Sequence, residues 1–201
     1  MGLNPKETLI ISVSGKKIPM KGFSKHYTPL DATPGPNAGK TGNFFKTSKS
    51  AEIIQILNLV NTVRLDIKNV VMEDFQFVGA FEYFDRASES GFGKFAEIGQ
   101  NIARPLIAAS ALRDDLNVIV TNHEETISED FKPLRKMKTI GKLVDNSLTM
   151  EGLFTVVLFT DIREAADGTL EYGFITNNNG TNTAKSPEGM LKPFMPNDMG
   201  A

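Results

Sequence analysis

Residues 69–74 read NVVMED, a short apolar run followed at once by two carboxylates. Residues 69–72 have the length and composition of a buried strand. The acids Glu73 and Asp74 then fall at its carboxyl end, where open α/β sheets bind their ligands. Two readings stand at this point. The acids cap a strand end, or one carboxylate enters a magnesium shell while the second orients an attacking water, as in nucleotide hydrolases. Working outward, Ile53, Ile54, Leu57, Val60 and Val63 recur at helical spacing, which predicts a helix over 48–64. Ser48 and Ser50 offer capping oxygens there, and Glu52 lies near the positive helix end. Further upstream, TLIISVS at 8–14 is rich in β-branched residues and closed by Gly15, which predicts a strand. Downstream, a helix is expected over 93–112, bent at Pro105, and then an apolar strand over 117–121. Short apolar strands alternating with helices imply a parallel sheet covered on both faces. The polar cluster at 121–125 then shares a rim with Glu73 and Asp74.

The rest of the chain is less regular. Pro29, Pro34, Gly35 and Pro36 forbid a helix in 16–46, where strand fragments and a loop are expected. A turn-rich stretch follows Asp74. In the last third, 152–163 and 169–176 read as two strands joined through Asp167-Gly168, a hairpin. The asparagine-rich 177–182 reads as a turn or flexible loop. With no internal repeat and no long linker, the expectation is one domain over 1–201, its end from 177 partly flexible.

Composition removes several classes of chemistry. The 201 residues include no cysteine, which excludes disulfides, thiolate metal sites and cysteine nucleophiles. Two histidines, His26 and His123, cannot build a multi-histidine centre. No run approaches the roughly 18 apolar residues of a membrane span, and the N-terminus lacks a signal-peptide layout. A soluble cytoplasmic domain is expected. The formal net charge of −2 gives no overall case for nucleic acid, but 132–142 carries five basic residues and no acidic one. That run is either a solvated face or a loop that contacts phosphate backbones.

The stretch GPNAGKT at 35–41 imitates a phosphate-binding loop but is one residue short of G-x-x-x-x-G-K-[ST], with Pro34 where the first glycine belongs. Its surroundings are also wrong, because such a loop must leave a buried strand and open a helix. A surface loop is the better reading. GFGK at 91–94 fails the same test.

Taken together, NPKETLIISV, NVVMEDFQF, ALRDDLNVIVTNHEE, KTIGKLVDNSLTMEGLFTVVLF and NTAKSPEGM resemble phage AAA-family ATPases with a RecA-like core, the group associated with single-strand annealing recombinases. The resemblance runs from Asn4 to about Pro196. It implies an α/β fold of the RecA-like P-loop NTPase type, a mostly parallel sheet with helices on both faces and a C-terminal antiparallel hairpin. It implies ATP and magnesium as cofactors of the complete family member, with Glu73 and Asp74 as catalytic and metal-binding acids. The family more often has aspartate at position 73. Asn122 and His123 would take the sensor position, and Lys185 would reach a neighbour's nucleotide. Lys136, Lys138 and Lys142 would face DNA or a neighbouring subunit. Single-stranded DNA and a homo-oligomeric ring or filament are the implied partners, in DNA recombination, repair or annealing.

In that family a strand, a glycine-rich loop and its helix precede the segment at which this sequence begins. The expectation is therefore a chain that binds nucleotide weakly by itself, in a sheet that either closes with altered pairing or stays incomplete around the lost strand. A non-catalytic remnant that binds single-stranded DNA or partner subunits is the alternative.

Overall fold

The computed structural model describes residues 2–31, 38–129, 132–141 and 149–198. The chain divides into two compact units, one comprising residues 3–123 and 139–147, the other 124–138 and 148–201 together with the first two residues.

The larger unit is built on a four-stranded parallel sheet. Its strands are β1 (Thr8–Ser12), β2 (Phe44–Lys46), β3 (Asn69–Glu73) and β4 (Asn117–Val120), in the order β2-β1-β3-β4. In-register pairing aligns Leu9 with Val70 and Val118, Ile10 with Val71 and Ile119, and Ile11 with Met72 and Val120. Because side chains alternate across a strand, the Ile10 row lies on one face and the rows on either side of it on the other. All five residues of β1 are buried, as befits a strand covered on both sides.

Crossover handedness decides what covers each face. The steps β2 to β3 and β3 to β4 both move the same way along the sheet, so right-handed connections bring their helices to one face. These helices are α2 (Ser50–Thr62), α3 (Phe77–Asp85) and α4 (Gly93–Ala109), and α4 packs against both others. The step β1 to β2 runs the opposite way, and its connection, which includes the short α1 (Phe23–His26), covers the opposite face. There Tyr27 joins Ile10 and Val71 in a buried cluster flanked by Ile18, Met20, Phe23, Phe44 and Ile119.

Several expectations need correction. Helix α2 is not capped by Ser48 or Ser50. Lys49 takes the N-cap position without a side-chain cap, and the preceding Thr47 accepts from the Lys49 amide at 3.0 Å through Oγ1 and donates to Glu52 Oε2 at 2.5 Å. The stretch after Asp74 contains helix α3, nine residues long, with Val78 and Gly79 buried and Tyr83 and Phe84 exposed. Pro105 is accommodated inside α4, and that helix ends in short-range turns from Ser110 and Ala111 rather than at 112. The sheet is continuous from β2 to β4, and β4 forms its edge. Of the 35–41 stretch, residues 38–41 are described, and they form a turn that leads into strand β2 rather than a helix.

The second unit holds two antiparallel sheets. One is the hairpin β5 (Glu124–Glu129) with β6 (Lys132–Met137), and the other is β7 (Phe159–Glu164), β8 (Leu170–Ile175) and β9 (Phe194–Pro196). The expected turn at Asp167-Gly168 joins β7 to β8, with Gly168 at φ +80° and its amide bonded to Ala165 O at 2.9 Å. The segment 152–158 is not part of β7, because a single 3-10 turn occupies Met150–Leu153. The asparagine-rich turn is tied down by its own side chains, Asn179 Oδ1 accepting from Thr181 and Asn182.

Candidate functional site

The switch in connection direction falls between β1 and β3. Their following loops diverge to opposite sides, and this divergence opens a crevice beyond their carboxyl ends. The residues at that crevice are Ser12, Ser14 and Lys16 from the β1 side and Glu73 and Asp74 from the β3 side. Ser12 and Glu73 are register partners. Ser12 Oγ donates to Glu73 Oε2 at 3.0 Å, and the Ser14 hydroxyl lies 3.5 Å from the same oxygen. Lys16 Nζ sits 2.5 Å from Asp74 Oδ2 and 3.5 Å from Glu73 Oε1. One ammonium thus bridges both acids.

Asp74 is the strained member. Its φ of +58° is the one left-handed backbone among the described non-glycine residues, a conformation that costs energy unless its surroundings hold it. The next strand supplies the hold. Thr121 Oγ1 accepts from the Asp74 amide at 3.1 Å, and Thr121 O accepts from the Phe75 amide at 2.9 Å. The result turns the Asp74 carboxylate into the crevice, where its side chain is only 9% exposed. His123 Nε2 lies 3.7 Å from Asp74 Oδ1, while its backbone amide donates to Gln76 Oε1 at 2.7 Å. The ring meets Phe77 edge-on. Asn122 follows Thr121 and directs its Nδ2 to His123 O at 2.8 Å.

Burial pushes the Asp74 carboxyl up, but the Lys16 ammonium and the Ser14 hydroxyl outweigh it and hold the group below its ordinary 3.8. The same contact with Asp74 raises Lys16 above 10.5. The signs set a pH window. A depressed carboxylate stabilises the fold above its unfolded value and loses that contribution as pH falls through the folded one. A raised lysine contributes below its unfolded value and loses it as pH rises through the folded one. The pair should therefore support the fold from about pH 4 to beyond about pH 10. Lys16→Met is expected to lower thermal stability across that window and to match the wild type in strong acid. A deficit that persists unchanged at pH 2 would sink this assignment.

Among the described residues, no group of three or more histidines and carboxylates converges as a closed metal cage. The two acids do fit magnesium, which keeps most of its waters and takes only one or two carboxylates alongside substrate phosphates. Both offer hard oxygen donors, and the Lys16 ammonium already occupies a cation position between them. Lys16 is half-exposed and follows Gly15, whose φ is +68°.

The structure therefore brings Glu73, Asp74, Asn122 and His123 to one rim. Ser12, Ser14, Lys16 and Thr121 complete that rim, and the first three were given no role from the sequence. A signal was present: SVSGK places two hydroxyls, a glycine and a lysine directly after an apolar strand.

Lys136, Lys138 and Lys185 lie in the second unit. The basic run is not a loop, since its first half forms β6. Its cations face the acids of β5: Arg135 contacts Glu124 at 2.8 Å and Lys136 Nζ lies 3.5 Å from Glu125. The backbone of Lys185 pairs with Val157. Lys142 lies outside the described residues.

The architecture is that of an α/β protein with a four-stranded parallel sheet flanked by helices, accompanied by antiparallel sheets. No protein-family model matches the chain, and the search of curated proteins found no match. Among the described residues, no helix is long and apolar enough to cross a membrane.

Proposed function

We propose that this chain carries the metal-binding and water-orienting rim of a RecA-like ATP-hydrolysing site, of the kind found in phage AAA-family proteins of DNA recombination and annealing. One observation carries the reading: the adjacent acids Glu73 and Asp74 project from a parallel strand into the crevice at the topological switch point, with a neighbouring strand end presenting Thr121, Asn122 and His123 beside them. Nucleotide hydrolases use this arrangement because a strand end is a rigid mount, and catalysis of phosphoryl transfer is mostly positioning and charge stabilisation.

In this reading one of Asp74 and Glu73 would hold magnesium, which would supply charge neutralisation at the phosphates. The carboxylate not engaged with the metal orients the attacking water. Thr121 fixes the backbone of Asp74, and the Asn122–His123 pair stands where the terminal phosphate would be sensed. The Lys16 ammonium offsets one of the two negative charges of the acids. A glycine-rich phosphate cradle in register with this rim is not found in the sequence, so ATP affinity from this chain alone is low. Lys185 reaching a neighbour's nucleotide, in a ring or filament on single-stranded DNA, completes the proposal.

Manganese titration followed by paramagnetic line broadening tests it directly. Broadening is expected first at the amides of Ser12, Glu73, Asp74 and Thr121, is lost in Asp74→Asn, and is stronger in Lys16→Met. Asparagine is the informative replacement because it tolerates the left-handed backbone that alanine does not. Calorimetry with magnesium-ATP is expected to show binding weaker than about micromolar, since phosphate affinity resides largely in loop amides and their lysine. Broadening elsewhere on the chain, with this rim untouched, would refute the assignment.

A further inference from the structure

The turn from α3 to α4 carries an aromatic cluster that the rim does not use. Phe92 is 83% exposed, Phe84 70% and Tyr83 41%. They form one patch with Phe95: ring centroids are 5.6 Å apart for Tyr83–Phe84, 6.1 Å for Tyr83–Phe95 and 6.5 Å for Phe92–Phe95. Single exposed apolar residues need no explanation, but a contiguous group of large rings costs solubility and marks an interaction surface. Aromatic side chains are also the residues that carry binding energy at interfaces.

Charge around the patch selects the partner. Glu82, Asp85, Glu89 and Glu97 neighbour these rings along the chain, against Arg86 and Lys94. Arg86 is already committed, its guanidinium contacting Glu82 at 3.0 Å and both Glu89 and Glu97 at 2.7 Å. Lys94 Nζ is held by the carbonyls of Arg86 and Glu89, and lies 5.4 Å from the Phe95 ring centre. Three carboxylates share the one Arg86 guanidinium, and these four acids and two cations together keep a net charge of −2. Such a rim repels a phosphate backbone and attracts lysine and arginine. Open aromatic faces add to that preference, because cations bind over them.

We propose that Tyr83, Phe84, Phe92 and Phe95 form a docking surface for a basic polypeptide segment with an apolar anchor. The rings receive the anchor, and Asp85, Glu89 and Glu97 receive the flanking cations.

Fluorescence anisotropy with the full chain tests this, using a labelled amphipathic peptide of leucine and lysine, its leucine–glutamate counterpart, and a labelled oligothymidine. The lysine peptide is expected to bind, to weaken with added salt, and to lose about tenfold or more in affinity on Phe84→Ser with Phe92→Ser, as for interface hot spots. Both positions are solvent-exposed, so the fold should survive, and unchanged circular dichroism checks that. Glu89→Gln with Glu97→Gln, which leaves the rings in place, should reduce affinity and flatten the salt dependence. Three results would overturn the proposal: peptide binding absent or indifferent to both variants, oligothymidine binding that the serine variants abolish, or self-association in sedimentation that the same variants remove.

Discussion

Gly42→Ala is expected to abolish stable folding of the larger unit, with a loss of at least about 4 kcal/mol, the range reserved for a few identifiable mechanisms. Two of them coincide here. Gly42 has φ +80°, which L-residues adopt only at a cost of about 1–2 kcal/mol. A Cβ added there would also lie 2.0 Å from Pro29 O and 2.7 Å from Leu30 Cα, so it meets backbone, which cannot rotate away. The backbone it would displace is itself held on both sides. Leu30 N bonds to Phe44 O, Asn43 N to Thr28 O, and Gly42 O accepts from the nearly buried Arg64 at 2.7 Å. Those bonds bring β2 to its place beside β1. Thermal or urea denaturation decides the matter, and a variant within about 1 kcal/mol of wild type, the size of an ordinary substitution, would show the turn to be far more pliant than its geometry implies.

Phe75→Ala should be nearly as damaging, with a cost of about 3–5 kcal/mol. Phe75 is fully buried and ranks among the largest such side chains in the chain. Its removal leaves a cavity at the residue next to Asp74, loosening the backbone whose amide bond to Thr121 O is one of two ties that hold Asp74 in its left-handed conformation. The effect should therefore be double: a lower denaturation midpoint, and faster hydrogen exchange at the Asp74 and Phe75 amides. Phe75→Leu, which refills part of the space, should recover part of both. Equal stability losses for Leu and Ala would point to a ring-specific contact instead of volume.

The strand at 69–73 and the carboxylates at its end were legible because burial on both faces forces a continuous apolar run, and a polar residue can appear only where the strand leaves the core. The same logic made 117–120 and its polar sequel legible, and likewise the helix around Ile53 and Leu57. Helix α3 was not, since Phe77, Phe81, Tyr83 and Phe84 blur any single apolar face, and two of them stand exposed. The basic run was legible as charge but not as a strand. Its cations look available in one dimension, and only the pairing of β5 with β6 sets Glu124 and Glu125 against Arg135 and Lys136. The oxygens of Ser48 and Ser50 suggested a cap for α2, but the helix starts from Lys49 without a side-chain cap.

From the sequence itself came the α/β class, the run NVVMED as strand and rim, the neighbouring polar cluster, and the rejection of 35–41 as a phosphate loop. These follow from local rules: periodicity, the chemistry of turns, and the cost of burying charge. What tertiary structure alone decided was strand order, and with it the company Asp74 keeps. The order β2-β1-β3-β4 sets the switch point between β1 and β3 and brings Ser12, Ser14 and Lys16 to acids some sixty residues away in the chain. No local propensity encodes which parallel strand lies beside which. That choice is made by the packing of whole crossovers, and the site exists only where they diverge.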